Sequence, residues 1–180
     1  MLSEYHGRRL LTLARENIIH YLKTHTMLSI DDIPPEFQEK GGVFVTLKCE
    51  GNLRGCIGYP EPIYPLYTAL LDSSVSAAIR DPRFCPVTVE EMDDITLEIT
   101  VLTPPSQIVP NPSQVTVGVD GLCVERGIFK GILLPQVATE WGWDAEEFLC
   151  QACMKAGLPP DCWLDGETRV YTFQGQIFSE

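Results

Sequence analysis

The chain has 180 residues, 13 basic and 25 acidic side chains, a net charge of −12 and a hydrophobic fraction of 44%. That length supports one well-buried core, or one core with a smaller lobe, and the acidic surplus without a basic stripe argues against a nucleic-acid or anionic-membrane surface. Seven cysteines, an odd number, with neither a signal-peptide pattern nor an apolar run long enough to span a bilayer, set the expectation of a reducing cytoplasm.

Over residues 3–25, Leu10, Leu11, Leu13, Ala14, Ile18, Tyr21 and Leu22 recur at helical spacing, with Ser3 placed to cap the start. His20 and His25 fall at the far end, where the helix dipole favours a cation, so they read as solvated or capping groups. Residues 30–42 read as a connector broken by Pro34-Pro35 and Gly41-Gly42.

Residues 43–58 then predict a β-hairpin, because a period-two run from Val43 to Cys49 meets Glu50-Gly51-Asn52 before a second run. A two-residue loop of Gly51 and Asn52 would set Cys49 against Arg54 and put a guanidinium on the apolar face. A three-residue loop instead sets Cys49 against Leu53 and Val45 against Ile57, and one face becomes wholly apolar. That register is preferred. It leaves Thr46, Lys48, Arg54 and Cys56 on the other face, with Lys48 across from Arg54 and Thr46 across from Cys56.

Nearby cations favour thiolate over thiol, and Gly55 and Gly58 admit close approach by a ligand or another backbone. Two bland readings stand beside this one. Cys56 reads equally as an inert small hydrophobe, and Arg54 as half of a structural salt bridge.

Tyr59-Pro60-Glu61-Pro62 enforces a turn, and residues 63–80 resume helical periodicity until Asp81-Pro82 ends it. In Asp81-Pro82-Arg83-Phe84-Cys85-Pro86 two prolines stiffen a segment that displays Asp81 and Arg83, either as site residues or as a simple cap and pair. Residues 95–102 alternate as a half-buried strand. Residues 115–119, 122–126 and 128–134 read as short strands of an antiparallel meander, separated by Gly118, Asp120-Gly121 and Gly127.

Pro135 opens a short helix, and Asp144 with Glu147 resembles the capping box of a last one. Residues 169–178 form a closing strand. Trp141, Trp143 and Trp163 read as core and lobe-packing residues. Cys150 and Cys153 lie within the last helix with no second pair and no histidine near in sequence, so they read as packing and not as a redox or zinc element; no metal site is expected. There is no repeat, glycine-rich phosphate loop or serine-nucleophile elbow. The pattern is α+β: an antiparallel sheet flanked by helices.

Leu53-Arg54-Gly55-Cys56-Ile57-Gly58 resembles the signature hexapeptide of the AMMECR domain family. Residues 81–86 resemble that family's second block, Gly121-Leu122 is similar to a third, and the stretch 131–138 with Trp141-Gly142-Trp143-Asp144 resembles a fourth. The resemblance runs from about Phe44 to Tyr171. It implies a single AMMECR-type domain over 1–180, with a larger and a smaller lobe and the hairpin facing a cleft between them. It also implies association with a radical-SAM enzyme and a Memo-type protein, since prokaryotic members sit in a proposed trio of that kind.

Two functions follow. In the first, the chain is an enzyme for a small anionic substrate. Cys56 is then nucleophile or ligand, Arg54 and Lys48 clamp the anion, and Thr46, Gly55, Gly58, Asp81 and Arg83 complete the binding surface. A general base is missing from that set, because His6, His20 and His25 all precede the hairpin. In the second, the same surface belongs to a non-catalytic binding or adaptor subunit, a reading favoured if Arg54 is tied into internal hydrogen bonds. The motif names no cofactor.

Overall fold

The structure is a computed structural model that describes residues 2–180. Helix α1 (Glu4–Thr24) starts where Ser3 accepts a hydrogen bond from the His6 N–H, and it ends at His25 in the left-handed conformation. Its stripe of Leu10, Leu11, Ala14 and Ile18 is buried. Within the stretch read as a connector, one turn of helix, α2 (Pro35–Gln38), buries Phe37 completely. Prolines at its start punctuate the chain and also preset the helical φ, which explains why a breaker signal ends in a helix.

Strands β1 (Gly42–Cys49) and β2 (Asn52–Tyr59) form the hairpin. Helix α3 (Leu66–Ile79) follows, with small residues Ala69, Ser73, Ser74, Ala77 and Ala78 all buried. Small side chains bring its backbone close to the ribbon and to α1. A 3-10 turn (Glu90–Asp93) leads into β3 (Ile95–Leu102), which pairs antiparallel with β1, Val45 opposite Ile99 and Leu47 opposite Leu97.

The chain divides into two compact units, residues up to Leu102 with Gln176–Glu180, and Thr103–Gly175. In the first, β2 is the edge strand beside β1, β1 pairs with β3, and the end of β7 (Arg169–Ser179) lies on the other side of β3. The core gathers Val43, Val45, Leu47, Leu70, Leu97 and Ile99 between this sheet and its helices. Asn17, fully buried in α1, joins α3 by donating to the Leu71 carbonyl at 2.8 Å and to Ser74 Oγ at 2.9 Å.

In the second unit, the short β4 (Ser106–Ile108) pairs with β7, and β7 pairs with β5 (Asp120–Arg126), which pairs with β6 (Phe129–Leu133). Helices α4 (Pro135–Trp141) and α5 (Ala145–Lys155) follow, the latter capped by Asp144 accepting from the Glu147 N–H. Leu122, Val124, Phe148, Leu149, Ala152 and Val170 form its core.

Three expectations change here. Residues 115–119 are irregular chain and turn and not strand, because Asp120 accepts from the Thr116 N–H at 2.8 Å and folds the segment on itself. Cys153 is not simply packed: it is bonded to Cys162 across a nine-residue separation, while Cys150 stays free. Trp163 is buried but Trp141 is 70% exposed. The fold class is α+β, as the periodicities require. Among the described residues no helix is long and apolar enough to cross a membrane.

Candidate functional site

The loop of the ribbon is Glu50-Gly51, with φ of 50° and 79°. Two consecutive positive φ values mark a type I′ turn, whose twist matches that of the flanking strands. Cys49 therefore pairs with Asn52 and Lys48 with Leu53, while farther along Leu47 pairs with Gly55, Thr46 with Cys56 and Val45 with Ile57. The register shifts between Leu47 and Lys48, leaving Arg54 as the extra residue of a β-bulge.

The expected pairing is thus right at its far end and wrong at its turn. Lys48 does not face Arg54, and Leu53 is 43% exposed and not part of the apolar face. A tight turn and a correct core register conflict by one residue, and the bulge absorbs it.

Arg54 is aimed by that bulge. Its Nε and Nη2 donate to Glu91 at 3.2 and 3.1 Å, and Nη1 donates to the Cys85 carbonyl at 2.9 Å. Its side chain is only 18% exposed. Glu91 also accepts from the Thr88 N–H at 2.8 Å, and that bond, aided by Arg54 and opposed by burial, holds its carboxyl below the ordinary range. Lys48 pairs with Glu98 at 2.9 Å.

Cys56 sits on an edge strand, so its peptide group would lack a partner on the open side. Asp81 and Arg83 supply one. The Cys56 N–H donates to Asp81 Oδ2 at 2.9 Å, and Arg83 Nη2 reaches the Cys56 carbonyl at 3.4 Å. Arg83 also binds both oxygens of Asp81, at 2.9 Å through Nε and 2.7 Å through Nη2. Asp81 is buried, and the Arg83 guanidinium, helped by the N–H groups of Cys56 and Arg83 and opposed by burial, holds its carboxyl well below the usual carboxylate range. The Cys56 thiol accepts from Thr46 Oγ1 at 3.3 Å.

The glycines serve backbone packing. A Cβ on Gly55 would lie 2.1 Å from the Ala77 carbonyl oxygen of α3, and one on Gly58 would lie 2.3 Å from the Val43 carbonyl oxygen. The structure therefore brings Cys56, Asp81 and Arg83 into one hydrogen-bonded cluster, with Thr46 at the thiol, while Arg54 is held apart from it by Glu91 and the Cys85 carbonyl. Lys48 is engaged separately by Glu98.

Sequence reasoning missed Glu91 and Glu98 as the partners of Arg54 and Lys48. Thr88-x-x-Glu91 is a capping-box pattern that was legible, but its reach to Arg54 was not. The histidines lie elsewhere: His6 faces Glu36, His20 bonds Thr26 and His25 packs on Tyr21.

Chemically the face is neutral pair by pair: Lys48 with Glu98, Arg54 with Glu91, Arg83 with Asp81. It presents a half-buried thiol among spent charges.

The AMMECR1 family model matches residues 11–178. A protein of Methanothermobacter thermautotrophicus is 59% identical, with 99% of this chain and 96% of that one covered, and a protein of Pyrococcus furiosus is 54% identical over 97% and 88%. A crystal structure described as that of an uncharacterized protein from Pyrococcus horikoshii superposes with a TM-score of 0.84 at 52% identity, covering 99% of this chain and 93% of that one. By motif, by sequence and by fold the chain belongs to the AMMECR1 family.

Proposed function

We propose that the ribbon and its 81–91 buttress form a docking face for a partner protein, and that no bond is broken at Cys56. One observation carries this reading: the guanidinium of Arg54 is consumed by Glu91 and the Cys85 carbonyl. An anion clamp needs a cation whose donors point at the ligand, and here each cation of the face already has a carboxylate. Releasing Arg54 to a substrate would strand Glu91 and an unsatisfied carbonyl.

A thiol nucleophile also needs a base to take its proton, and the Cys56 thiol meets the Thr46 hydroxyl while His6, His20 and His25 are engaged elsewhere. The trio association implied by the motif makes a radical-SAM enzyme and a Memo-type protein the first partners to test, and a cytoplasmic setting goes with them.

The experiment is isothermal titration of the chain with each purified partner from the same organism, repeated with Cys56→Ala and Lys48→Glu. Docking predicts micromolar or tighter binding, retained by Cys56→Ala and weakened at least fivefold by Lys48→Glu. The rival is tested in parallel with inorganic phosphate, sulfate and citrate. Micromolar binding of any of these, abolished in Arg54→Leu, would return the site to the anionic-substrate reading.

A further inference from the structure

The second unit holds a feature that the ribbon does not use. Gly142, at φ 70°, ends α4 in the left-handed conformation, and the Trp143 N–H donates back to the Ala138 carbonyl at 2.9 Å. This helix-terminating turn swings Trp143 back toward the helix it follows. The indoles of Trp141 and Trp143 consequently lie nearly parallel, 5.9 Å apart with 15° between planes.

With one side against Trp143, Trp141 is still 70% exposed, so the outer face of the stack lies open. Beside it is a cavity of about 600 Å³. Leu133, Trp141, Trp143 and Met154 supply apolar lining, and Gln151 and Lys155 are its polar side chains. Gln151, Met154 and Lys155 stand at i, i+3 and i+4 on α5, hence on one helix face.

Its volume falls in the range of small-molecule clefts, with an apolar wall and two polar side chains, and it is open to solvent. Charge selects the ligand. The chain carries −12, yet among the described residues no carboxylate lines this cavity and Lys155 makes no ion pair. The Lys155 ammonium opposes the cation–π attraction that the indole faces would otherwise offer a cation, and a second copy of so acidic a chain would be repelled. An indole face offers stacking to a planar ring, Met154 adds a sulfur contact to its edge, and Lys155 offers an ammonium.

We propose that this groove binds a flat aromatic ring bearing an anionic group, the ring on the Trp141 face and the anion on Lys155. The proposal is independent of the ribbon, since no residue of the first unit takes part.

The test uses two probes on the full chain: 1-anilinonaphthalene-8-sulfonate, an anion whose naphthalene ring is flat, and its uncharged counterpart N-phenyl-1-naphthylamine. Binding is followed by probe fluorescence. The sulfonate is expected to saturate at one per chain, to weaken at least tenfold in Trp141→Ala, and to weaken about fivefold in Lys155→Gln with the neutral probe unchanged. Both side chains are exposed, so both variants are expected to fold, as checked by circular dichroism; Trp141→Leu, which keeps apolar bulk without the ring, replaces the alanine variant if that one unfolds.

Sulfonate binding that does not saturate, that survives loss of Trp141, or that falls in Lys155→Gln together with the neutral probe would overturn the proposal.

Discussion

Replacing Arg54 by leucine tests the reading of the ribbon most directly. The substitution removes a bidentate pair to Glu91 and a 2.9 Å bond to the Cys85 carbonyl. Exposed pairs are worth about 0–1 kcal/mol and breaking a buried one costs about 3–5 kcal/mol. Arg54 is 18% exposed but Glu91 is 41% exposed, and Glu91 keeps its bond from Thr88, so water can rescue the abandoned carboxylate.

The expected loss lies between those limits, about 2 kcal/mol, or a fall of about 1 M in urea midpoint for a slope of about 2 kcal/mol per M. Arg54→Lys keeps the charge without the fork and should lose about half as much. A double-mutant cycle with Glu91→Gln should return a coupling of about 1 kcal/mol. A leucine variant within about 0.5 kcal/mol of the parent would refute the reasoning and free Arg54 for an anion.

Three other outcomes follow from the same cluster. Asp81 has a native pKa depressed below its unfolded value near 4, so its stabilisation is complete above that value and is lost as pH falls through the native one; the parent should therefore lose melting temperature more steeply than Asp81→Asn between about pH 4 and 2. Alkylation should reach exposed Cys85 first and half-buried Cys56, Cys49 and Cys150 later, with Cys153 and Cys162 silent until reduced; Cys56 labelling ahead of Cys85 would revive the thiolate reading. Gly55→Ala should cost about 1–3 kcal/mol because α3 must move, whereas Gly166→Ala, with open space around it, should be neutral in thermal melts.

Much of the fold was legible because period and punctuation carry it. Ser3, Asp144 and Pro135 open their helices as their chemistry predicts. The alternation of residues 95–102 marked β3, and the apolar face of Val43, Val45 and Leu47 fixed the far register of the ribbon. What escaped were interactions between distant residues. The bulge at Arg54 arises from a conflict between turn twist and core register that neither stretch shows alone. The Arg54–Glu91 bond joins residues 37 apart, and the Cys153–Cys162 bond depends on how the chain returns after α5. The open stack of Trp141 on Trp143 was hidden for the opposite reason, because large aromatics are usually core.

The route of the backbone imposes an order on biosynthesis. The first unit is built from two separated pieces: Gln176–Glu180 come back to it after all of the second unit has been made. There Phe178 fills the space that Gly7 leaves, Gln176 exchanges hydrogen bonds with Leu2, and Glu180 clasps Arg15 and the Leu97 N–H. A nascent chain leaving the ribosome can finish the contiguous Thr103–Gly175 unit while the earlier one still waits for its last strand. Halting translation before residue 176 would leave α1 and β3 with a missing neighbour and an apolar seam available to chaperones.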